Sequence, residues 1–258
     1  SPNFVDNSTF YLRNLLHILD HAFLGYNVCF LAYGQTGSGK THSMMGSPQD
    51  PGLIPLLLKD LLRRREKLVA EKVNCVIRAL YMEIYNEQVK DLLLPNGTGI
   101  KKCKVREHPQ LGPYVENLLD FAINNFLSFL SLLERGNKLR STAATQMNEL
   151  SSRSHAIITL LLVQTKFKSI SGDSEDLGEA EEELVSNIKL VELAGSERLS
   201  MTKLYKEQDR LQEGTLINKS LTVLGRGINI LSTVSERDLA TRSQVVVHFR
   251  DSVFTYLL

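Results

Sequence analysis

The sequence of 258 residues has no tryptophan, few cysteines and almost no net charge, which is +1 at pH 7. Its three cysteines (Cys29, Cys75 and Cys103) are widely spaced and form no CxxC pair. This pattern argues against a disulfide scaffold or a zinc site and fits a reducing compartment. The near-zero charge gives no global excess that would attract nucleic acid or a membrane, so a charged partner requires a local patch. No apolar run reaches the ~18–20 residues of a membrane span.

Segments with strand-like and helix-like patterns alternate along the chain, which predicts a three-layer α/β domain. Strands are predicted at 28–33, 75–86, 104–107, 113–116, 155–165 and 185–193. Helices are predicted at 11–24, 124–146, 209–233 and from about Asp251, with a further helix interrupted at 46–55. The acidic segment 172–183 is predicted to be a flexible loop. Because no linker rich in Pro, Gly or Ser divides the chain, we expect one domain.

The strongest local signal is a glycine-rich segment that fits the phosphate-loop pattern G-x-x-x-x-G-K-[ST]. It follows a predicted buried strand and precedes a predicted helix, so its curled backbone would point successive N–H groups at phosphate oxygens. Lys40 would reach the β- and γ-phosphates, and the Thr41 hydroxyl would ligate Mg²⁺. A chance match in a chain of this length has odds of roughly 1%. The predicted nucleotide-binding residues are Gly34, Gln35, Thr36, Gly37, Ser38, Gly39, Lys40 and Thr41.

Two polar segments further along the chain are candidates for contact with the same nucleotide. Residues 148–155 read NELSSRSH, which by itself is equally consistent with a polar turn that caps a strand. Residues 190–198 read LVELAGSER, in which an apolar strand ends in the acid Glu192. In a phosphate-loop protein, a carboxylate at the end of a neighbouring strand is well placed to hold Mg²⁺ through water. The backbone N–H of Gly195 could sense the γ-phosphate.

In this order, the three segments resemble the phosphate loop, first switch and second switch of kinesins. The family patterns are AYGQTGSGKT, N-x-x-S-S-R-S-H and D-L-A-G-S-E-R; the first two match completely and the third matches except at Glu192. Residues 209–221 resemble the start of the family's main microtubule-binding helix, and residues 250–252 resemble its next contact segment. Residues 105–116 and 250–253 are similar to the third kinesin family, the organelle and vesicle transporters.

The resemblance implies a fold, an activity and a set of partners. The implied fold is the three-layer P-loop NTPase fold, with a central mixed, mainly parallel sheet and helices on both faces. The implied protein is a microtubule-binding motor ATPase that uses ATP and Mg²⁺ and works in the cytoplasm on the microtubule cytoskeleton. Organelle or vesicle cargo would be bound through regions outside this chain, with no role for nucleic acid or a membrane span.

The resemblance also assigns roles to single residues. Ser151 and Ser152 would lie beside Mg²⁺ and the γ-phosphate, and Arg153 would form an ion pair with Glu197 when ATP is bound. The Gly195 N–H would bond the γ-phosphate and lose this partner on phosphate release. The implied catalytic residues are Ser151, Ser152, Arg153, Glu192, Gly195 and Glu197. The implied metal-site residues are Thr41, Ser152 (through the bound nucleotide) and Glu192 (through water). The candidate contacts to the acidic tubulin surface are Lys203, Lys206, Arg210, Lys219 and Arg250.

Departures from the family pattern carry expectations of their own. Glu192 stands where kinesins have Asp, and its extra methylene moves the carboxylate by about 1.5 Å. Because Mg²⁺ demands near-ideal geometry, slower hydrolysis or weaker Mg²⁺ binding is expected. Gly227 lies in the long helix where the family usually has Val, at a cost of about 1 kcal/mol relative to Ala. Residues 235–247 contain only Arg237 and Arg242 as bases, which predicts weak microtubule affinity.

The expected extent of the domain is residues 1–258, a single motor domain without the family's first strand, last strand, last helix and neck linker. The missing strands would leave unpaired strand edges. A second hypothesis is a degenerate kinesin that binds microtubules or a partner without productive hydrolysis. A third is an unrelated P-loop nucleotidase or kinase, which would need a substrate-binding lid in place of two switch segments.

Overall fold

A computed structural model of the chain describes seven stretches of residues. These are 5–95, 102–109, 112–144, 152–167, 180–197, 208–233 and 248–258, with the side chains of 142–144, 208–215 and 217 left out. Eight strands lie in these stretches: β1 Val28–Ala32, β2 Val73–Tyr85, β3 Gln88–Asp91, β4 Lys102–His108, β5 Gly112–Glu116, β6 Phe121–Ala122, β7 His155–Phe167 and β8 Ala180–Glu192. They form one sheet in the order β1-β8-β7-β2-β3-β4-β5, and β6 pairs with β2.

The directions of the strands correct one part of the predicted fold. The sheet is mixed, as predicted, but it is not mainly parallel, because β1 with β8 is the one parallel pair among the described strands. A two-residue turn joins β2 to β3, and Asn86 and Glu87 in it have φ of 53° and 57°. Such a tight hairpin requires antiparallel strands, whereas a parallel pair needs a crossover of a dozen or more residues.

Seven helices lie within the described residues, alongside the sheet. They are α1 Asn7–Asn14, α2 Leu16–Phe23, α3 Lys40–Met44, α4 Leu53–Ala70, α5 Phe126–Ala144, α6 Gln208–Thr233 and α7 Val253–Leu257, the last following a 3₁₀ turn at Phe249–Asp251. The Asp6 side chain accepts a hydrogen bond from the Thr9 N–H and so caps α1, and the Ser252 hydroxyl caps α7. No helix of the described residues is long and apolar enough to cross a membrane.

Alternate residues of β2 face two separate hydrophobic cores. Ile77 and Tyr81 pack in a large cluster with residues of α2 and α4, whereas Met82 and Ile84 pack on the other face with Phe254 of α7. Helices therefore cover both faces of the sheet, and the prediction of a three-layer domain is confirmed.

The predicted elements occur in the structure with two corrections, and the short strands β3 and β6 were not predicted. The single helix predicted at 11–24 is two helices, α1 and α2, divided at Leu15. The loop predicted at 172–183 is wrong for residues 180–183, because β8 begins at Ala180 and continues the ladder with β7. An ion pair of 3.0 Å between Lys166 and Glu182 joins the two strands there. Residues 172–179 lie outside the described residues.

Candidate nucleotide-binding site

The phosphate loop connects β1 to α3 and has the local conformation that its glycines allow. Gly37 and Gly39 have φ of 80° and 92°, in the left-handed region where a side chain is strained. The Lys40 ammonium folds back over the loop and donates to the carbonyl oxygens of Gly34 at 2.9 Å and Gln35 at 2.8 Å. The lysine is thus held above the loop, so that its positive charge and the backbone N–H groups of the loop lie close together.

A cavity of about 270 Å³ opens over this loop. Its walls are mainly phosphate-loop residues, and Ser152 and Glu192 complete it from the two switch segments. The structure therefore brings together residues from three segments that are far apart in the sequence. The cavity is lined by Thr36, Gly37, Gly39, Lys40, Thr41, His42, Ser152 and Glu192.

The segment that follows β8 is bonded directly to the phosphate loop. The parallel pairing of β1 and β8 continues past the strand ends, since the Leu193 N–H donates to the Ala32 carbonyl at 3.1 Å. The Ser196 N–H then donates to the Gly34 carbonyl at 3.1 Å, and the Gly195 N–H donates to the Ser152 carbonyl at 2.8 Å. These three bonds link the second switch segment to both the phosphate loop and the first switch segment.

Glu197 completes this closure through its side chain. Its carboxylate accepts hydrogen bonds from the backbone N–H of Thr36, at 2.8 Å, and from the Thr36 hydroxyl. Burial raises the pKa of Glu197, but these bonds and the nearby charge of Lys40 outweigh it, and the net pKa is lowered. Glu197 therefore carries a negative charge at the mouth of the phosphate loop.

The absence of a side chain at Gly195 is a requirement of this closure. A Cβ atom at this position would lie 2.5 Å from the Thr36 hydroxyl oxygen and would also collide with the carboxylate of Glu197. Real Cβ atoms do not approach other atoms so closely, so a side chain at this position would displace the Glu197 carboxylate from Thr36.

The end of β8 places Glu192 directly against the residue predicted to ligate Mg²⁺. The Thr41 hydroxyl donates a hydrogen bond to Glu192 Oε1. Glu192 Oε2 lies 3.0 Å from Nη1 of Arg140, which projects from α5. Glu192 and Arg140 are each 8% exposed, so the carboxylate is held in a largely buried position from both sides.

The Arg140 guanidinium belongs to a buried charge cluster that sequence reasoning missed. Arg140 Nε lies 3.6 Å from Glu83 Oε1, and the Lys90 ammonium lies 3.6 Å from Glu83 Oε2. The Ser154 hydroxyl donates to Glu83 at 2.6 Å. With Glu192, the cluster holds two carboxylates and two cations, so its formal charges balance. One signal was present in the sequence: Glu83 is an isolated acid in an apolar strand, where burial requires a partner.

Ser151 and Arg153 are predicted catalytic residues whose roles stay predictions. Ser151 lies outside the described residues. Arg153 is half-buried in the turn before β7, and its ion pair with Glu197 stays a prediction for the nucleotide-bound state. Glu197 bonds to Thr36 in this structure.

The candidate microtubule contacts are only partly described. Lys203 and Lys206 lie outside the described residues, and Arg210 is in α6 with its side chain left out. Lys219 is exposed on α6. Arg250 is 71% exposed, with Nη2 2.5 Å from Glu107 Oε1, so an acidic partner would compete with Glu107 for it.

Comparison with known proteins gives consistent results. Residues 3–258 match the kinesin motor domain. Human kinesin-like protein KIF14 is 41% identical over 260 residues, covering 100% of this chain and 15% of its own length. Kinesin-like protein unc-104 of Caenorhabditis elegans is 45% identical over 260 residues, covering 100% of this chain and 16% of its own length. The chain thus spans a small part of these curated relatives, which belong to the third kinesin family or are related to it.

Solved structures of KIF14 are also similar to this fold. KIF14 with ADP in complex with a microtubule superposes with a TM-score of 0.84 at 40% identity, covering 100% of this chain and 69% of that one. A KIF14 dimer in a two-heads-bound state, with AMP-PNP and in complex with a microtubule, gives a TM-score of 0.82 at 41% identity, with coverage of 100% and 68%.

Proposed function

Because the chain belongs to the kinesin motor-domain family, we propose that it is a microtubule-binding motor ATPase, acting in the cytoplasm on the microtubule cytoskeleton. Residues 1–258 would act as one motor domain, with organelle or vesicle cargo bound through other parts of the protein. The nucleotide would be ATP, bound over the phosphate loop between β1 and α3.

The observation that carries this proposal is the direct bonding of the second switch segment to both the phosphate loop and the first switch segment. Ser196 and Glu197 contact the loop, and Gly195 contacts Ser152 of the first switch segment. A phosphate loop alone would suit any nucleotide-binding protein. A loop whose closure depends on two further segments suits an enzyme in which the γ-phosphate controls a conformational change.

The residues around the cavity fit a magnesium-bound nucleotide in their chemistry. Lys40 and the loop N–H groups would neutralise phosphate oxygens. Thr41, Ser152 and Glu192 offer hydroxyl and carboxylate oxygens, the donors that Mg²⁺ prefers. When bound, Mg²⁺ would neutralise charge on the phosphates. The Thr41 hydroxyl donates its proton to Glu192, which leaves the lone pairs of its oxygen for the metal. The longer glutamate side chain would leave less room for a water between its carboxylate and Mg²⁺, so the metal would bind less tightly here than beside an aspartate.

The hydrolytic step would depend on positioning rather than on covalent chemistry. Glu197 and Arg153 would join the two switch segments and so hold the attacking water. The Gly195 N–H, which donates to the Ser152 carbonyl in this structure, would turn to the γ-phosphate. Loss of the phosphate would release the segment that leads into α6, where Arg210 and Lys219 are candidates for contact with tubulin.

The test is ATP turnover by the chain in Mg²⁺ buffer, with and without polymerised microtubules, alongside cosedimentation. We expect microtubules to bind and to stimulate turnover. Lys40→Ala should abolish turnover because it removes the phosphate-binding cation. Lys67→Ala, at an exposed position near the end of α4, is the matched control and should leave turnover unchanged. Cosedimentation without any turnover would favour the degenerate kinesin instead, and absence of both would contradict the proposal.

A further inference from the structure

A single buried histidine lies between the second switch segment and helix α6. His155 is the first residue of β7 and is 3% exposed. Its Nδ1 accepts a hydrogen bond from the Ala194 N–H at 3.1 Å, and its Nε2 lies 2.8 Å from the Ser220 hydroxyl of α6. The ring is stacked on Phe254 of α7, with the centroids 4.4 Å apart. One side chain therefore contacts three elements on this face of the sheet.

The chemistry of these partners fixes the tautomer of the ring. A backbone N–H can only donate, so Nδ1 of His155 must be the unprotonated acceptor. The ring proton is then on Nε2, which donates to the Ser220 hydroxyl oxygen. Burial, together with the charge of Arg140, lowers the pKa of His155 to about 4, so the ring remains neutral near pH 7. The two hydrogen bonds therefore run in one direction, from Ala194 through His155 to Ser220.

Ala194 connects these two hydrogen bonds to the phosphate cavity. Ala194 immediately precedes Gly195, whose N–H donates to the carbonyl of Ser152 in the wall of the phosphate cavity. A rearrangement of Gly195 toward a phosphate would move the Ala194 N–H relative to Nδ1. The imidazole is confined by its stack on Phe254, so this movement would be passed to the Ser220 bond and not absorbed by free rotation of the ring.

We propose that His155 is a positioning residue that couples the nucleotide site to helix α6 through its simultaneous bonds to Ala194 and Ser220. The inference rests on the proposed function, since it assumes that a nucleotide occupies the phosphate cavity. It adds a specific side chain, a specific tautomer and a specific receiving residue on α6. The coupling is internal to the chain, so it operates whether or not a microtubule is present.

The test measures hydrogen exchange at the backbone amides of residues 216–233, with and without saturating Mg·ADP. In the parent chain, we expect ADP to change exchange in α6 by about fivefold or more, the lower end of typical coupling between sites. Ser220→Ala removes the acceptor of the Nε2 proton but leaves the phosphate cavity intact. We expect this variant to bind ADP within about twofold of the parent, which is a smaller change than typical coupling between two sites produces. It should lose most of the exchange response in α6.

A buried serine with no such role is the matched control. Ser186 of β8 is fully buried, and among the described residues its hydroxyl has no hydrogen-bond partner. Ser186→Ala should therefore retain the full exchange response. His155→Phe keeps a ring of similar size on Phe254 but removes both hydrogen bonds, so it should lose the response as well. The double variant of His155→Phe with Ser220→Ala should then lose no more of the exchange response in α6 than His155→Phe alone, because both changes break the same pair of hydrogen bonds.

The outcomes separate the two proposals. If the parent and Ser220→Ala bind ADP and respond equally in α6, the coupling role of His155 is wrong. A parent chain that binds ADP without any response in α6 also overturns it, even if microtubules stimulate turnover. Failure of the parent to bind ADP contradicts the proposed function and, with it, the inference. A normal response in α6 without stimulation by microtubules supports the coupling and counts against the motor function.

Discussion

The hydroxyl of Thr41 is hydrogen-bonded to Oε1 of Glu192, at the end of the strand that pairs with β1. The residue predicted to ligate Mg²⁺ is thus already engaged by the acid that should hold the metal through water. Arg140 holds the other carboxylate oxygen at 3.0 Å. A water between Glu192 and Mg²⁺ would share the carboxylate with Thr41 and Arg140, and the extra methylene of glutamate extends the carboxylate by about 1.5 Å relative to aspartate.

Glu192→Asp should raise the affinity for Mg²⁺ by about tenfold. The shorter aspartate side chain would withdraw by about 1.5 Å and leave room for a water that bridges the carboxylate and the metal. A hydrogen bond to a charged group is worth about 1.5–3 kcal/mol. The measurement is the Mg²⁺ concentration that half-saturates ADP binding. Glu183→Asp, an exposed change on the same strand, is the control and should have no effect. An unchanged or weaker Mg²⁺ affinity in Glu192→Asp would show that the length of the Glu192 side chain does not limit metal binding.

Arg140→Met should destabilise the fold by about 3–5 kcal/mol. Removal of the guanidinium leaves the carboxylates of Glu192 and Glu83 buried beside each other without their shared cation, and a broken buried ion pair has a cost of this size. The measurement is urea unfolding followed by circular dichroism. Arg78→Met is the matched control, because Arg78 pairs with Asp120 on the surface and its loss should cost less than about 1 kcal/mol. Equal losses in the two variants would rule out a special role for the buried cluster.

The segments that line the phosphate cavity could be identified from the sequence because each of them is one short run of residues. The phosphate loop and the segment that contains Gly195 and Glu197 are each read from one short run of residues. The buried cluster was not predictable in this way. Arg140 and Glu192 are 52 residues apart, and the sequence around either residue does not indicate its partner. The helical pattern around Arg140 predicts a helix, but the register against β8 decides which side chain meets the acid.

The directions of the strands were not predictable from local pattern for a related reason. Alternation and apolar content identify a strand but carry no information about which neighbour it will pair with. The two-residue turn at Asn86 and Glu87 makes β2 and β3 a hairpin, and β3 is too short and too polar to stand out in the sequence. The expectation of a mainly parallel sheet was implied by the family resemblance, and the one parallel pair among the described strands corrects it.

Stability should fall as the pH is lowered from about 6.5 to about 4, because of His155. Its pKa is lowered from 6.5 to about 4 in the folded chain, so between these values the unfolded chain binds a proton that the folded chain excludes. The stabilising contribution is complete above the unfolded pKa and is lost as pH falls through the folded one. The full loss is about 3 kcal/mol, at 1.36 kcal/mol per pKa unit.

The measurement for this prediction is the free energy of unfolding across that pH range in the parent and in His155→Gln. The variant should have lower stability at pH 7 and a shallower dependence on pH. His17→Gln, at an exposed position in α2, keeps the same number of histidines as His155→Gln and should retain the parental slope. Identical slopes in all three proteins would mean that acid denaturation is controlled by other groups.

Gly195→Ala should reduce ATP turnover by about 100-fold or more. The added methyl group would collide with the Glu197 carboxylate and the Thr36 hydroxyl, so Glu197 would lose its bonds to the phosphate loop, and a misplacement of about 1 Å costs catalysis by roughly this factor. Gly225→Ala is a revealing control, because a Cβ at this position of α6 meets nothing within 4 Å. It should leave turnover without microtubules unchanged and stabilise the helix by about 1 kcal/mol. The measurements are ATP turnover and thermal unfolding of both variants. If Gly195→Ala retained parental turnover, closure of the second switch segment would not be required for hydrolysis.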